Sequence, residues 1–396
     1  MITIRDKKDC CGCHACVTVC AKHCITMHED SEGFLYPVVD KESCTDCGLC
    51  EKVCPVIHQD APHDPLSSYI AINRNEEIRL RSSSGGIFTL LAEAVISEGG
   101  VVFGAQFDAA WNVVHAWTDT IEGLAAFRGS KYVQSRIGDT YREAREFLKQ
   151  GRKVLFSGTP CQIAGLKKFL RKEYENLLTV DFICHGVPSP GVWQRYLNDF
   201  RSSLSSNEPP VITGVSFRDK RNGWKTYNFR LRYSFPSSIE AQEFVQPFTE
   251  NPFMRGFLSD IYLRPSCYAC PAKSGKSSSD ITIADAWGID QFAQEHDDDK
   301  GACYVLENTG QGCLAMKSLR FEQHPVDIEM VRRYNPSYVS SVELSQKRRQ
   351  FFKRYTSRVK TVNSIVGKVL TPTLCDKLKW SINRCISPVT TLLRRK

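Results

Sequence analysis

A run of four cysteines spaced two, two and three residues apart occurs twice within the first 54 residues of this 396-residue chain. The first run is Cys10, Cys13, Cys16 and Cys20; the second is Cys44, Cys47, Cys50 and Cys54, followed by Pro55, with matching positions 34 residues apart. Three thiolates at two-residue gaps wrap one face of an iron–sulfur cubane. The fourth points from the following helical turn toward a neighbouring cube. This is the spacing of bacterial two-cluster ferredoxins, in which the fourth cysteine of each run ligates the other cluster. The expected assignment is one [4Fe–4S] cluster on Cys10, Cys13, Cys16 and Cys54, and a second on Cys44, Cys47, Cys50 and Cys20. Ala21 stands where the motif usually has proline, which loosens the turn and removes no ligand. The competing assignment, two zinc sites, would draw two ligands from each of two separated Cys-x2-Cys pairs; 2-2-3 spacing fits that badly. Cys11 and Cys24 read as surplus thiols and His14 as a loop residue.

Ten of the 18 cysteines fall in this segment. A disulfide framework needs an oxidising compartment, and Met1 to Cys10 shows no apolar core of a secretory signal. No apolar run approaches the ~20 residues of a membrane span. The expectation is a cytoplasmic protein, where dense cysteine reads as metal ligation. With 42% hydrophobic and 24% charged residues the chain is neither disordered nor fibrous. Its basic balance is local: residues 341–396 hold 14 Lys and Arg against Glu343 and Asp376, so the rest is net acidic.

Residues 1–60 therefore form one expected domain, and Ala61–Ser68, with two prolines and no periodicity, reads as a linker. From Tyr69 on, buried strand-like runs at 101–105, 154–156 and 178–183 alternate with helical patterns near 87–98, 139–149, 162–172 and 190–201. This predicts an α/β or α+β domain over 66–335. Residues 211–217 and 227–235 read as a hairpin around Asn222-Gly223. A basic amphipathic helical tail occupies 336–396.

Four later cysteines sit beside glycine or proline: Cys161, Cys184, Cys267 and Cys270, the last pair as Cys-x2-Cys-Pro. A strand, then a Gly/Pro loop, then a helix is a ligand-binding corner of an α/β sheet. These thiolates suit a third cubane or a zinc, or else are core cysteines with an incidental pair. Cys303, Cys313, Cys375 and Cys385 stand alone and read as structural. Ser82-Ser83-Ser84-Gly85-Gly86 precedes an amphipathic helix and reads either as an anion-binding turn or as a flexible loop. Gly129-Ser130-Lys131-Tyr132-Val133-Gln134 is a second polar, cationic loop suited to a phosphate or a flavin edge, with a solvated Lys131 as its plain alternative. No nicotinamide or nucleotide-triphosphate glycine motif is present.

Together these residues resemble the coenzyme F420 hydrogenase/dehydrogenase beta-subunit family, whose bacterial members often carry a two-cluster ferredoxin domain in front. The matching stretches, over roughly residues 1–330, are Ser82–Gly86, Phe127–Ser135, Phe156–Gln162, Asp181–Ser189, and Cys267–Cys270 leading into Ser279–Gly288. Ala284 stands where the family usually has glycine. The resemblance implies a mixed α/β flavoprotein domain binding one FAD through Ser82–Gly86, Gly129–Tyr132, Gln134, Gly158, Thr159, Pro160 and Gln162. It also implies a third [4Fe–4S] cluster on Cys161, Cys184, Cys267 and Cys270, and, for many bacterial members, a place in surface-polysaccharide metabolism.

Cubanes pass single electrons and flavins convert between one- and two-electron chemistry. The expected activity is thus an iron–sulfur flavoprotein oxidoreductase acting on an organic substrate. Lys131 and His185 are the candidate catalytic groups, although a histidine beside a ligating cysteine also suits a hydrogen-bonding role behind the ligand. The alternative is an electron-transfer subunit with no substrate of its own, serving an electron donor or acceptor protein. In the tail, Val359, Val362, Val366 and Val369, then Leu374, Leu378, Ile382 and Cys385, recur at helical spacing between basic residues, broken by Pro372 and Pro388. That pattern suits either peripheral contact with the inner face of an anionic membrane or a helix packed on the domain. Nucleic-acid binding is not expected, because only the tail is basic.

Overall fold

A computed structural model describes residues 1–204, 208–238, 240–357 and 359–371. The duplicated cysteine runs fold alike. Gly12 and its copy Asp46, and His14 and its copy Gly48, all take left-handed φ, from 48° to 73°. Each run thus turns sharply before a short helix, Ala15–Val19 or Leu49–Lys52. Between them lies an antiparallel hairpin, β1 (Ile25–Glu29) and β2 (Leu35–Val39). The Asp30 carboxylate closes its tip by accepting from the Glu32 and Phe34 N–H groups.

The linker ends earlier than the sequence predicts, because Ser67 and Ser68 already belong to β3 (Ser67–Asn73). From there the chain builds an eight-stranded sheet from β3, β4 (Val101–Phe107), β5 (Val113–Thr118), β6 (Val154–Ser157) and β7 (Leu177–Phe182). A separate antiparallel sheet follows: β8 (Val211–Asp219), β9 (Asn228–Ser234) and β10 (Gln242–Pro247). The first two are the expected hairpin and the third is an addition. The large sheet is completed by β11 (Ile281–Asp285), β12 (Cys303–Glu307) and β13 (Phe321–Pro325). Its order is β13-β3-β12-β11-β7-β6-β4-β5. β4, β6, β7 and β11 run parallel at its centre, with antiparallel strands on both sides. These strands carry apolar runs because both faces are covered, by helices Ile87–Ser97, Thr140–Lys149 and Pro160–Leu170. Thr159 and Gln162 form a reciprocal capping box at the start of the Pro160–Leu170 helix, with Pro160 in its first turn.

A third, aromatic core joins the smaller sheet to helices Pro190–Ser203 and Pro252–Leu258. It also takes in the tail. Helices Gln346–Tyr355 and Val362–Leu370 bury Phe351, Phe352, Val362, Ile365, Val366 and Val369 in it. This corrects the membrane reading of the first half of the apolar stripe: Val362, Val366 and Val369 are spent on Trp193, Phe253 and their neighbours, and only Val359 is exposed. The remainder, from Pro372 on and including Leu374, Cys375, Leu378, Ile382, Cys385 and Pro388, lies outside the described residues. Among the described residues no helix is long and apolar enough to cross a membrane.

The cysteine module does not stand apart. Cys11, Cys13, Ala15 and Val53 share a core with Tyr141, Phe156 and Leu166 of the α/β domain. The hairpin tip is tied down by Ser189, whose hydroxyl donates to the Glu32 carbonyl, and by Arg348, which grips the Glu32 carboxylate.

Candidate functional site

A cavity of ≈ 540 Å³ opens where the parallel strands end. Its wall takes Ser157, Gly158 and Thr159 after β6, Ile183, Cys184 and His185 after β7, and Ala284 and Asp285 from β11. Ligands of open α/β sheets bind off the carboxyl ends of the strands, and the volume suits a cofactor. Ser82, Ser83, Ser84, Gly86, Gly129, Ser130, Lys131 and Tyr132 also line it, and Ser130 Oγ donates to Ser83 Oγ at 2.8 Å, joining the two polar loops.

Three of the residues picked from the sequence stand elsewhere. Gly85 lies behind the wall with its N–H on Cys303 Sγ at 3.1 Å, so that N–H is not free for an anion. Pro160 starts its helix. Gln134 turns the other way: its amide donates to the Cys11 carbonyl (3.0 Å) and accepts from Arg264 (2.9 Å). Its expected cofactor contact is corrected to a seam between the cysteine module and the α/β domain.

Lys131 donates to the carbonyls of Phe127, Arg128 and Gly129. Its side chain is half-buried, but no carboxylate is among its described partners, and desolvation pushes its pKa down to about 7. His185 Nε2 lies 2.6 Å from Asp260 Oδ1, which fixes the ring against the cavity. His115, which the sequence did not single out, has Ser135 Oγ at Nδ1 (2.9 Å) and the Ser157 carbonyl at Nε2 (3.0 Å). Nε2 therefore carries the proton, and burial pushes the pKa down to about 4. Arg218 is also new: it pairs with Asp285, lies over Tyr227 and Trp287, and has a buried Nε with no partner. Isolated arginines and histidines carry no spacing signal. Their partners Asp285 and Trp287, inside Ser279–Gly288, and Ser135 and Ser157 lay within stretches the sequence marked.

Behind the cavity, Cys161, Cys184, Cys267 and Cys270 converge. Burial first, then the neighbouring thiols, raise the pKa of Cys184 and Cys267, the latter to about 12. Cys161 and Cys184 follow β6 and β7, and Val187 N–H on Cys267 Sγ ties the loop after β7 to the Cys267–Cys270 segment. The surplus Cys11 touches both Cys161 and Cys13, so it stands between this set and the first run. Gly165 explains the closeness: a Cβ there would meet Cys13 Sγ at 2.9 Å. Cys10, Cys13, Cys16 and Cys54 bound a small recess shared with Ile2, Ile4 and Met27. Beyond them Cys20 and Cys44 adjoin Cys24, with Cys20 Sγ 3.4 Å from Cys24 Sγ, Cys50 is buried and Cys47 is exposed.

Among the described residues no three His, Cys, Asp or Glu side chains are close enough to share a single metal ion. Zinc gathers four donors around one ion, whereas the thiolates of a cubane stand at its corners, one to an iron. The donor sets, all thiol and, Cys47 apart, buried or half-buried, fit iron–sulfur clusters.

Two family matches accord with this arrangement. Residues 9–57 match the 4Fe-4S dicluster domain, and residues 151–325 match the C terminus of the coenzyme F420 hydrogenase/dehydrogenase beta subunit. Over residues 151–325 the chain thus carries the C-terminal domain of the coenzyme F420 hydrogenase/dehydrogenase beta subunit, with a 4Fe-4S dicluster domain in front. The 7Fe ferredoxin of Hydrogenibacillus schlegelii is 41% identical over 64 residues, 15% of this chain and 76% of that protein. The F subunit of the F(420)H(2) dehydrogenase of Methanosarcina mazei is 22% identical over 190 residues, 44% of this chain and 53% of that protein, so the match spans about half of its length. A chain of the F420-reducing [NiFe] hydrogenase complex from Methanosarcina barkeri aligns over 71% of this chain and 91% of its own, with TM-score 0.45 and 17% identity. The dicluster match makes this an iron–sulfur protein.

Proposed function

We propose that the chain is an electron relay that passes electrons between a partner protein at the Cys47 edge and an FAD in the cavity. Three clusters in series would connect them. The outer is held by Cys20, Cys44, Cys47 and Cys50, the inner by Cys10, Cys13, Cys16 and Cys54, and the last by Cys161, Cys184, Cys267 and Cys270. The observation that carries this reading is where the thiols lie. Cys47 is exposed at one end, Cys11 touches both Cys13 of the first run and Cys161, and Cys184 stands on the cavity wall at the other end.

When bound, clusters move single electrons and a flavin converts these into pairs. The chain's own residues supply the rest. Ser82–Ser84, Gly86, Gly129, Ser130, Gly158 and Thr159 would hold the flavin, and the apolar Val113, Phe127 and Val180 would exclude water. The Arg218 Nε, without a partner among the described residues, would donate to a reduced, anionic ring, and Lys131, held on three carbonyls, would place positive charge beside it when protonated. His185, oriented by Asp260, holds a proton at the cavity edge. The acceptor would be a small organic molecule, of surface-polysaccharide metabolism as the resemblance implies. The exposed Cys47 edge equally favours a subunit that only serves a partner enzyme.

Titrating anaerobically reconstituted protein with FAD tests the reading. The parent should take up about one FAD and Lys131→Met should bind it more weakly, whereas no uptake by the parent contradicts the proposal. Turnover of an organic acceptor by the isolated chain would exclude the pure electron-transfer role.

A further inference from the structure

Arg264 is only 1% exposed, and no carboxylate is among its described partners. Its Nε donates to the Cys10 carbonyl at 2.7 Å, and its Nη1 donates to Gln134 Oε1 at 2.9 Å. Its Nη2 donates to the Leu35 carbonyl at 2.9 Å and reaches Cys10 Sγ at 3.4 Å. The guanidinium carbon lies 4.3 Å from the centre of the Tyr36 ring. Every hydrogen-bond partner is neutral except a thiolate at Cys10. A buried cation is costly unless an anion faces it.

The duplication supplies an internal control. In the second run, Cys50 Sγ accepts from the Ile2 N–H and Cys44 Sγ from the Asp46 N–H. The nearby cation, the Met1 ammonium, is already matched by Asp46 and Glu51 at the surface. Two sets of identical spacing thus differ not only in burial but also in charge: a buried, otherwise unmatched positive charge touches the first.

We propose that the Arg264 guanidinium is the fixed counter-charge of the cluster held by Cys10, Cys13, Cys16 and Cys54, the one set whose ligand it touches, and raises the reduction potential of that cluster more than that of the other two. Reduction adds a negative charge to the thiolate-bound cluster. A cation in contact with one ligand, donating to its sulfur, stabilises the reduced form. Electrons therefore rest on the inner cluster, on the side facing Cys161. Arg264 touches no reacting atom and is a positioning residue that also pins the cysteine module through Gln134 and Leu35. The inference rests on the cluster reading above, and the two fail differently: without clusters the parent shows no iron–sulfur signal at all.

The test is a redox titration of the reconstituted full chain followed by electron paramagnetic resonance, in the parent, R264Q, R264K and Q134E. Q134E leaves the guanidinium in place and sets a carboxylate against its Nη1. In R264Q and Q134E one cluster should become harder to reduce, by about tenfold or more in its one-electron equilibrium, which is about 59 mV per tenfold. The outer cluster should keep its potential, the third should shift by less than the inner one, and R264K should stay near the parent. Cluster-loaded R264Q or Q134E with parental potentials overturns the proposal. If both lose the inner cluster while R264K keeps it, the cage requires the charge and the proposal stands. If R264K loses it too, Arg264 is only a latch and the proposal falls.

Discussion

The two cysteine runs have the same spacing and the same left-handed turns, yet they sit in opposite surroundings. The first is sunk into the α/β core beside Tyr141 and Phe156, against a glycine, and under a buried arginine. The second keeps Cys47 at the surface beside an exposed pair of the Met1 ammonium and Asp46. Spacing settles which group can be held. Surroundings settle what that group does, because net charge, hydrogen bonds to sulfur and solvent exposure set a cluster's potential.

Removing ligands exposes the comparison most bluntly. Cys13→Ala should abolish flavin reduction by a protein donor, because in the proposed series electrons reach Cys161 through the inner set. Cys47→Ala should abolish reduction by a protein donor while a small-molecule reductant still works, as stopped-flow absorbance will show. Equal loss with both donors in Cys47→Ala would mean that the series is wrong.

Gly165→Val presses on the same seam without touching a ligand. Overpacking of about 1–3 kcal/mol is expected, together with loss of inner-cluster iron, because the new side chain strikes Cys13 Sγ. Iron analysis and thermal unfolding read both effects.

The pins differ as the runs do. Glu32→Ala strips the partner from half-buried Arg348 at the hairpin tip and should cost about 3 kcal/mol in denaturant unfolding. Asp46→Ala removes an exposed partner of Met1 and should leave unfolding unchanged.

A pH dependence marks the buried wall. His115 is held neutral, its pKa pushed from 6.5 down to about 4 by burial. Its contribution is present above pH 6.5 and is lost as pH falls toward 4, by about 3 kcal/mol. Unfolding of His115→Gln should lack that share of the acid-side decline, and identical pH profiles would contradict it.

The legibility of the sequence follows the same division. The two runs, β4, β6, β7 and the helices between them were readable because their signals are local and periodic. The cavity wall was half readable, since Ser82–Ser84, Lys131 and Cys184 lie in glycine-rich loops with a marked composition. Arg264, His115 and Arg218 were not, because each is a single residue whose role comes from segments distant in the chain. The tail shows the same limit: its apolar spacing was visible, but nothing local could say that Val362 and Val366 meet Trp193 instead of lipid.

The central claim is a series of three clusters ending at a flavin. Iron, sulfide, zinc and flavin quantitation on one anaerobically purified sample tests it most directly. The account predicts about 12 iron atoms with matching sulfide and one FAD per chain. Iron without flavin, or zinc in place of iron, would contradict it.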